Sequence, residues 1–220
     1  MNVIKKKVIN SKDLYQLLLE MNGASGKWAA ETSWEIMLGA FLVQNTTWHN
    51  TQLSINQLRT VTALEPARIS ELSTDDLVPL IYSSGFHSSK SQLIYEWFQW
   101  MKSYDFDEFA VLKDYPDQDV LRRRLLQFKG IGNETADVLL LYIFNQGVFI
   151  ADNYARKLYA GLGVAEASGY MPLKGFVEAD TVLSVLEWQD FHGQILNFGK
   201  SNLKGKGPHA HALFEEFVVQ

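Results

Sequence analysis

The chain has 220 residues, with 20 Lys+Arg against 25 Asp+Glu, a net charge of −5 and no cysteine. That length holds one large domain or two small lobes around a substantial core. The absence of cysteine excludes disulfides, thiolate zinc sites and a Cys-ligated iron–sulfur cluster. No apolar run reaches the ~18–20 residues that cross a membrane. The opening MNVIKKKVIN has no apolar stretch long enough for a signal peptide, so a cytoplasmic protein with no membrane partner is expected. The acidic balance weighs against nucleic acid, where a basic footprint is the rule. Basic residues nevertheless cluster at Lys5–Lys7, at Arg122–Arg124 with Lys129, and at Lys200–Lys206, while acids gather in 65–76, 105–119 and 178–190. A basic face opposite an acidic back fits that pattern, and so does scattered solvated charge.

Taken in order, nearly every segment reads as helix. Residues 11–21 carry Leu14, Leu17 and Leu18 at i, i+3, i+4. Thr32-Ser33-Trp34-Glu35 matches a capping box and opens a buried helix to about Asn45. Helices follow at about 48–61, 74–82 and 88–103. Asp117 caps a run over 118–128, and an apolar helix spans 133–145. Another begins after Asp152 and stops near Gly161–Gly163. Residues 173–186 and 189–204 are helical, with a last amphipathic segment from about 208. Strand alternation is nowhere sustained, so the expected fold class is all-α, with no internal repeat.

Between 118–128 and 133–145 stands Lys129-Gly130-Ile131-Gly132. Two glycines around one apolar residue suit a tight hairpin, because glycine reaches positive φ without a Cβ clash. Ile131 then plugs the gap between the helices. The amides of Gly130–Asn133 lie at a helix start, where a phosphate can be held. The glycines alone fit an ordinary helical hairpin equally well.

The longer string LLQFKGIGNETADVLLLYIF resembles the helix–hairpin–helix of the endonuclease III superfamily of DNA glycosylases. In that family an aspartate follows about twenty residues after the hairpin, and here it is Asp152 in FIADNYARKL. LGAFLVQNT (38–46) and YSSGFHSSK (82–90) are similar to further landmarks of the family, in matching order over about two thirds of the chain. The resemblance implies one glycosylase domain over 1–220. One lobe would be about 31–147, containing the hairpin over 121–145. The other would be 1–30 with 148–220, and the substrate cleft would lie between them.

Residue by residue, the resemblance makes Asp152 the catalytic carboxylate, a role compatible with a helix N-cap. Bifunctional members carry a lysine in the hairpin helix whose amine attacks C1′. This chain has Glu134 in that slot, and a carboxylate cannot form an imine, so base excision without a lyase step is expected. Gln44 and Asn45 are implied to fill the gap left by a flipped nucleotide. Gly130, Ile131, Gly132, Asn133 and Thr135 are implied to contact the DNA backbone. Six Trp, nine Tyr and thirteen Phe are more than a core of this size requires. Trp28 and Trp48 are candidates for stacking on a flipped base, and an N-alkylated purine, being cationic, is drawn to an indole face. The tail FHGQILNFGK is most similar to the 3-methyladenine DNA glycosylase III subgroup, which lacks a cluster and carries a modified lysine. That resemblance puts Lys200 in the base pocket, where burial would lower its pKa and let the neutral amine be carbamylated.

The five histidines show no metal-ligand spacing, and no metal or other cofactor is expected. The expected partner is double-stranded DNA containing a damaged base, met by a monomer. The leading function is a monofunctional glycosylase for alkylated purines of the 3-methyladenine type. An endonuclease III-like enzyme for oxidised or mismatched bases is disfavoured by Glu134 and the missing cysteines. A non-catalytic DNA-binding module leaves Asp152 unexplained, and a helical protein–protein scaffold is favoured only by the net acidity.

Overall fold

The structure, a computed structural model, describes residues 6–25, 30–205 and 211–220. A three-residue strand, β1 (Lys7–Ile9), leads into α1 (Ser11–Asn22). Eight helices follow: α2 (Ser33–Leu42), α3 (Trp48–Thr62), α4 (Pro66–Glu71), α5 (Thr74–Leu80), α6 (His87–Lys102), α7 (Glu108–Asp114), α8 (Gln118–Leu125) and α9 (Asn133–Tyr142). The chain then continues through α10 (Asn153–Gly161), α11 (Tyr170–Asp180), α12 (Val185–Asn202) and α13 (Ala212–Glu216) to β2 (Phe217–Val219). The all-α class expected from the sequence is observed, apart from one short parallel pair in which Lys7 faces Phe217 and Ile9 faces Val219. Three residues are too few for an alternating pattern to declare itself, which is why these strands escaped the sequence reading. Among the described residues, no helix is long and apolar enough to cross a membrane.

The chain divides into two compact units, one of residues 29–146 and one of residues 1–28 with 147–220. In the first, α2 packs on α3, α6 and α9. Its core is aromatic: the fully buried Trp97 ring has centroids 5.4 Å from Phe41 and 5.3 Å from Phe128. In the second, α12 packs on both α1 and α10. Phe149, Tyr159 and Phe191 form its centre, with Phe149 5.8 Å from Tyr159 and 5.9 Å from Phe191.

Several helix ends differ from expectation for local reasons. The helix α2 stops at Leu42, not near Asn45, because Asn45 turns left-handed at φ 54°, a conformation asparagine tolerates. The Thr32 cap does accept from the Glu35 amide, but the Glu35 carboxylate reaches back to the amide of Glu31, so the box is only half closed. The run over 118–128 ends at Leu125 and the one over 133–145 at Tyr142. The expected helix over 173–186 is instead Tyr170–Asp180, and the next begins at Val185 rather than 189. There Ser184 and Glu187 close a complete capping box. The short helices α4 and α7 were not foreseen.

Candidate active site

Asp152 is the N-cap of α10: its Oδ1 accepts from the Ala155 amide at 2.7 Å, and the residue is only 6% exposed. The approach to it is a buried extended stretch, Val148–Ala151. That stretch is pinned from α11, where Glu178 Oε1 accepts from the Phe149 amide at 2.7 Å and from Lys174 Nζ at 2.6 Å. The other oxygen of Asp152 lies 3.9 Å from His192 Nε2 on α12. Burial, assisted by the charge of Lys200, pushes the pKa of His192 down to about 4. The imidazole is therefore neutral near pH 7. Nothing in the spacing of His192 from Asp152 in the sequence signals this approach.

The helices α10 and α12 approach closely at Gly199, where a Cβ would come within 2.4 Å of the Tyr154 ring. Lys200 follows that glycine and is exposed. The burial that was expected to favour its neutral amine is not there.

The hairpin lies in the other unit. Gly130 has φ +102°, a conformation that favours glycine, and a Cβ there would sit a tight 3.3 Å from the Leu93 side chain. Gly132 differs from expectation. It caps α9 at φ −93°, and a Cβ there would meet nothing within 4 Å. The fold itself does not need a glycine at 132, but a bare backbone lets a ligand approach the first amides of α9, which have no intrahelical acceptor. Ile131 is buried as a plug, and its amide donates to the Phe128 carbonyl at 3.0 Å. It is therefore not among the outward amides, a correction to the sequence reading. Glu134 stands exposed in the first turn of α9.

Beneath the hairpin, Arg122 grips the fully buried Asp137 at 2.8 and 3.2 Å and the Asn133 side chain at 2.9 Å. Arg124 lies over the Phe128 ring at 4.5 Å. Two of the three arginines counted in the basic cluster thus serve the interior, leaving Arg123 and Lys129 exposed on this surface.

Gln44 and Asn45 sit in the turn after α2. Asn45 is exposed, while Gln44 Nε2 donates to the Gly130 carbonyl at 3.1 Å and to Thr135 Oγ1 at 3.2 Å. Thr135 is buried, with its hydroxyl bound to Gln44. Trp48, 44% exposed, opens α3 behind a Thr47 cap. Trp28 lies outside the described residues. One residue that the sequence reading missed stands out: Phe86, 65% exposed at φ 48°. It lines a cavity of about 460 Å³ with His87, Gln92 and Lys129. The motif YSSGFHSSK had been noted, but not its aromatic. Among the described residues, no group of three or more His, Asp or Glu is arranged to hold a metal.

Solved structures share this all-α architecture. A 3-methyladenine DNA glycosylase from H. pylori, bound to 1,N6-ethenoadenine, superposes with a TM-score of 0.69 over 88% of this chain and 98% of its own, at 24% identity. A trapped covalent intermediate of endonuclease III with DNA gives 0.70 over 90% and 88%, at 16% identity. No protein-family profile matches the chain. A candidate DNA repair glycosylase of Methanocaldococcus jannaschii is 30% identical over 207 residues, covering 94% of both chains. The chain belongs to the helix–hairpin–helix DNA glycosylases of the endonuclease III superfamily.

Proposed function

We propose that the protein is a monofunctional DNA glycosylase that hydrolyses the N-glycosidic bond of alkylated purines of the 3-methyladenine type. The observation that carries this reading is Asp152, a buried carboxylate oriented at one oxygen by a helix amide, with a neutral imidazole facing the other. A fixed negative charge of that kind stabilises the oxocarbenium-like sugar that forms as the base departs, and it can orient the attacking water.

The remaining roles follow from chemistry and position. The first amides of α9, at Gly132 and Asn133, hold a phosphate without reading sequence. Gln44 and Asn45 occupy the space of the extruded nucleotide, and Phe86 offers an apolar face to the neighbouring stack. Trp48, with Trp28, stacks on the cationic base. Lys200 is exposed, so it serves as a phosphate contact rather than carrying a carbamate in a buried pocket. Glu134 supplies no nucleophile, so no imine forms at that position. The likeness to the H. pylori enzyme supports the substrate class.

The test is to incubate the protein with duplexes carrying 3-methyladenine, 7-methylguanine, thymine glycol or a G·T mismatch and to score abasic sites. Release of the methylated purines alone is expected. Release confined to thymine glycol or the mismatch would replace this reading with an endonuclease III-like one.

A further inference from the structure

Lys90 stands in the first turn of α6, and two effects oppose its presence there. The N-terminus of a helix repels a cation, and the residue is only 5% exposed, so the ammonium has been taken out of water. Burial pushes its pKa down from the ordinary lysine value. No carboxylate pairs with it among the described residues. Instead Nζ donates to three backbone carbonyls: Leu42 at 2.8 Å, Gln44 at 3.0 Å and Ser84 at 2.7 Å. An ammonium has three N–H donors, and here all three are used.

The origin of those carbonyls gives the lysine its meaning. Leu42 ends α2 and Gln44 lies in the turn after it, where helix-end carbonyls carry partial negative charge. Ser84 closes the 3-10 turn two residues before Phe86. One ammonium therefore joins two turns that are 40 residues apart in sequence, one carrying Gln44 and Asn45, the other carrying Phe86. Gln44, Asn45, Phe86 and Lys90 line a single cavity of about 110 Å³. A side chain that only capped α2 would have no reason to reach the Ser84 carbonyl as well.

We infer that Lys90 is a positioning residue for base extrusion: its ammonium fixes the Gln44–Asn45 turn and the Phe86 turn at the mutual spacing with which they enter the duplex. This rests on the wedge roles proposed above for those residues. Lys90 itself touches neither base nor sugar. Its contribution is to make two loop tips act as one rigid probe, so that neither has to be ordered at the moment the duplex opens.

The test uses the full chain and a duplex holding a stable abasic-site analogue, with 2-aminopurine as the orphaned base opposite. The fluorescence change on binding reports entry of the wedge. Two substitutions are compared with wild type. Lys90→Met keeps the apolar stem and removes every donor. Lys90→Arg keeps the charge, but its planar fork cannot serve three carbonyls arranged around an ammonium. For both, the folded protein should bind undamaged duplex as wild type does, through the hairpin. Both should lose most of the fluorescence response and about tenfold in single-turnover excision, the scale set by one buried hydrogen-bonding group. Adding Gln44→Ala to Lys90→Met should cost no more than either change alone. A folded Lys90→Met with wild-type fluorescence and excision overturns the inference. If Lys90→Met does not fold, the same result in Lys90→Arg overturns it. Should Gln44→Ala by itself leave both signals intact, the wedge reading fails first and takes this inference with it.

Discussion

Replacing Asp152 with asparagine isolates charge from shape. The N-cap should survive, because asparagine caps as well as aspartate, and the bond from the Ala155 amide to the side-chain oxygen at 2.7 Å can persist. The neutral acceptor weakens that bond, so the stability cost should stay within about 1 kcal/mol. Catalysis should suffer far more. A carboxylate about 4 Å from a unit positive charge is worth about 4 kcal/mol at an effective dielectric near 20. Losing that interaction slows the chemical step by roughly 10²–10³-fold. His192 cannot compensate, since its imidazole is neutral near pH 7. Single-turnover release of 3-methyladenine measures the rate, and fluorescence anisotropy with undamaged duplex measures binding, which should change less than about twofold because the hairpin is untouched. A folded Asp152→Asn protein that excises at the wild-type rate would remove Asp152 from the mechanism.

The parts of the molecule legible in sequence are those where local chemistry decides the structure. Asp117 and Asp152 each cap the helix they precede, through side-chain bonds to the Val120 and Ala155 amides. Buried Ile131 between its glycines could be read the same way. What could not be read depends on partners far apart in the chain. Lys90 looks like a solvated residue until the carbonyls of Leu42 and Ser84 are brought to it. Arg122 looks like a DNA contact until Asp137, fifteen residues on, claims it. His192 meets Asp152 across 40 residues, and the approach is carried by the packing of α10 on α12. Gly132 shows the reverse error: the motif was attributed to backbone conformation, whereas φ there is ordinary and a Cβ would meet nothing within 4 Å.

Four further outcomes are expected. Borohydride should trap no covalent adduct with DNA through residue 134, and efficient trapping mapped to any lysine would refute the monofunctional reading. Gly132→Ala should leave thermal stability nearly unchanged, because its Cβ meets nothing within 4 Å, yet weaken binding to damaged and undamaged duplex alike. An effect on damaged DNA only would show that the hairpin is not a general phosphate clamp. Asp137→Ala should cost about 3–5 kcal/mol in urea unfolding, because it removes the carboxylate paired with the largely buried Arg122, and a cost under 1 kcal/mol would mean that the pair is not what holds the hairpin. The last concerns acid. His192 has a folded pKa of about 4 against an ordinary value of 6.5, so between those pH values the unfolded chain binds a proton that the folded one refuses. Its contribution to stability is therefore fully present above pH 6.5 and is lost as pH falls towards 4. The sum is about 3 kcal/mol at ~1.4 kcal/mol per pH unit. His192→Gln removes the titrating group, so the difference between wild type and variant in urea unfolding should narrow steadily from pH 7 to pH 4.5. A difference that stays constant over that range would show that His192 takes up its proton in the folded state, and the neutral imidazole opposite Asp152 would have to be abandoned.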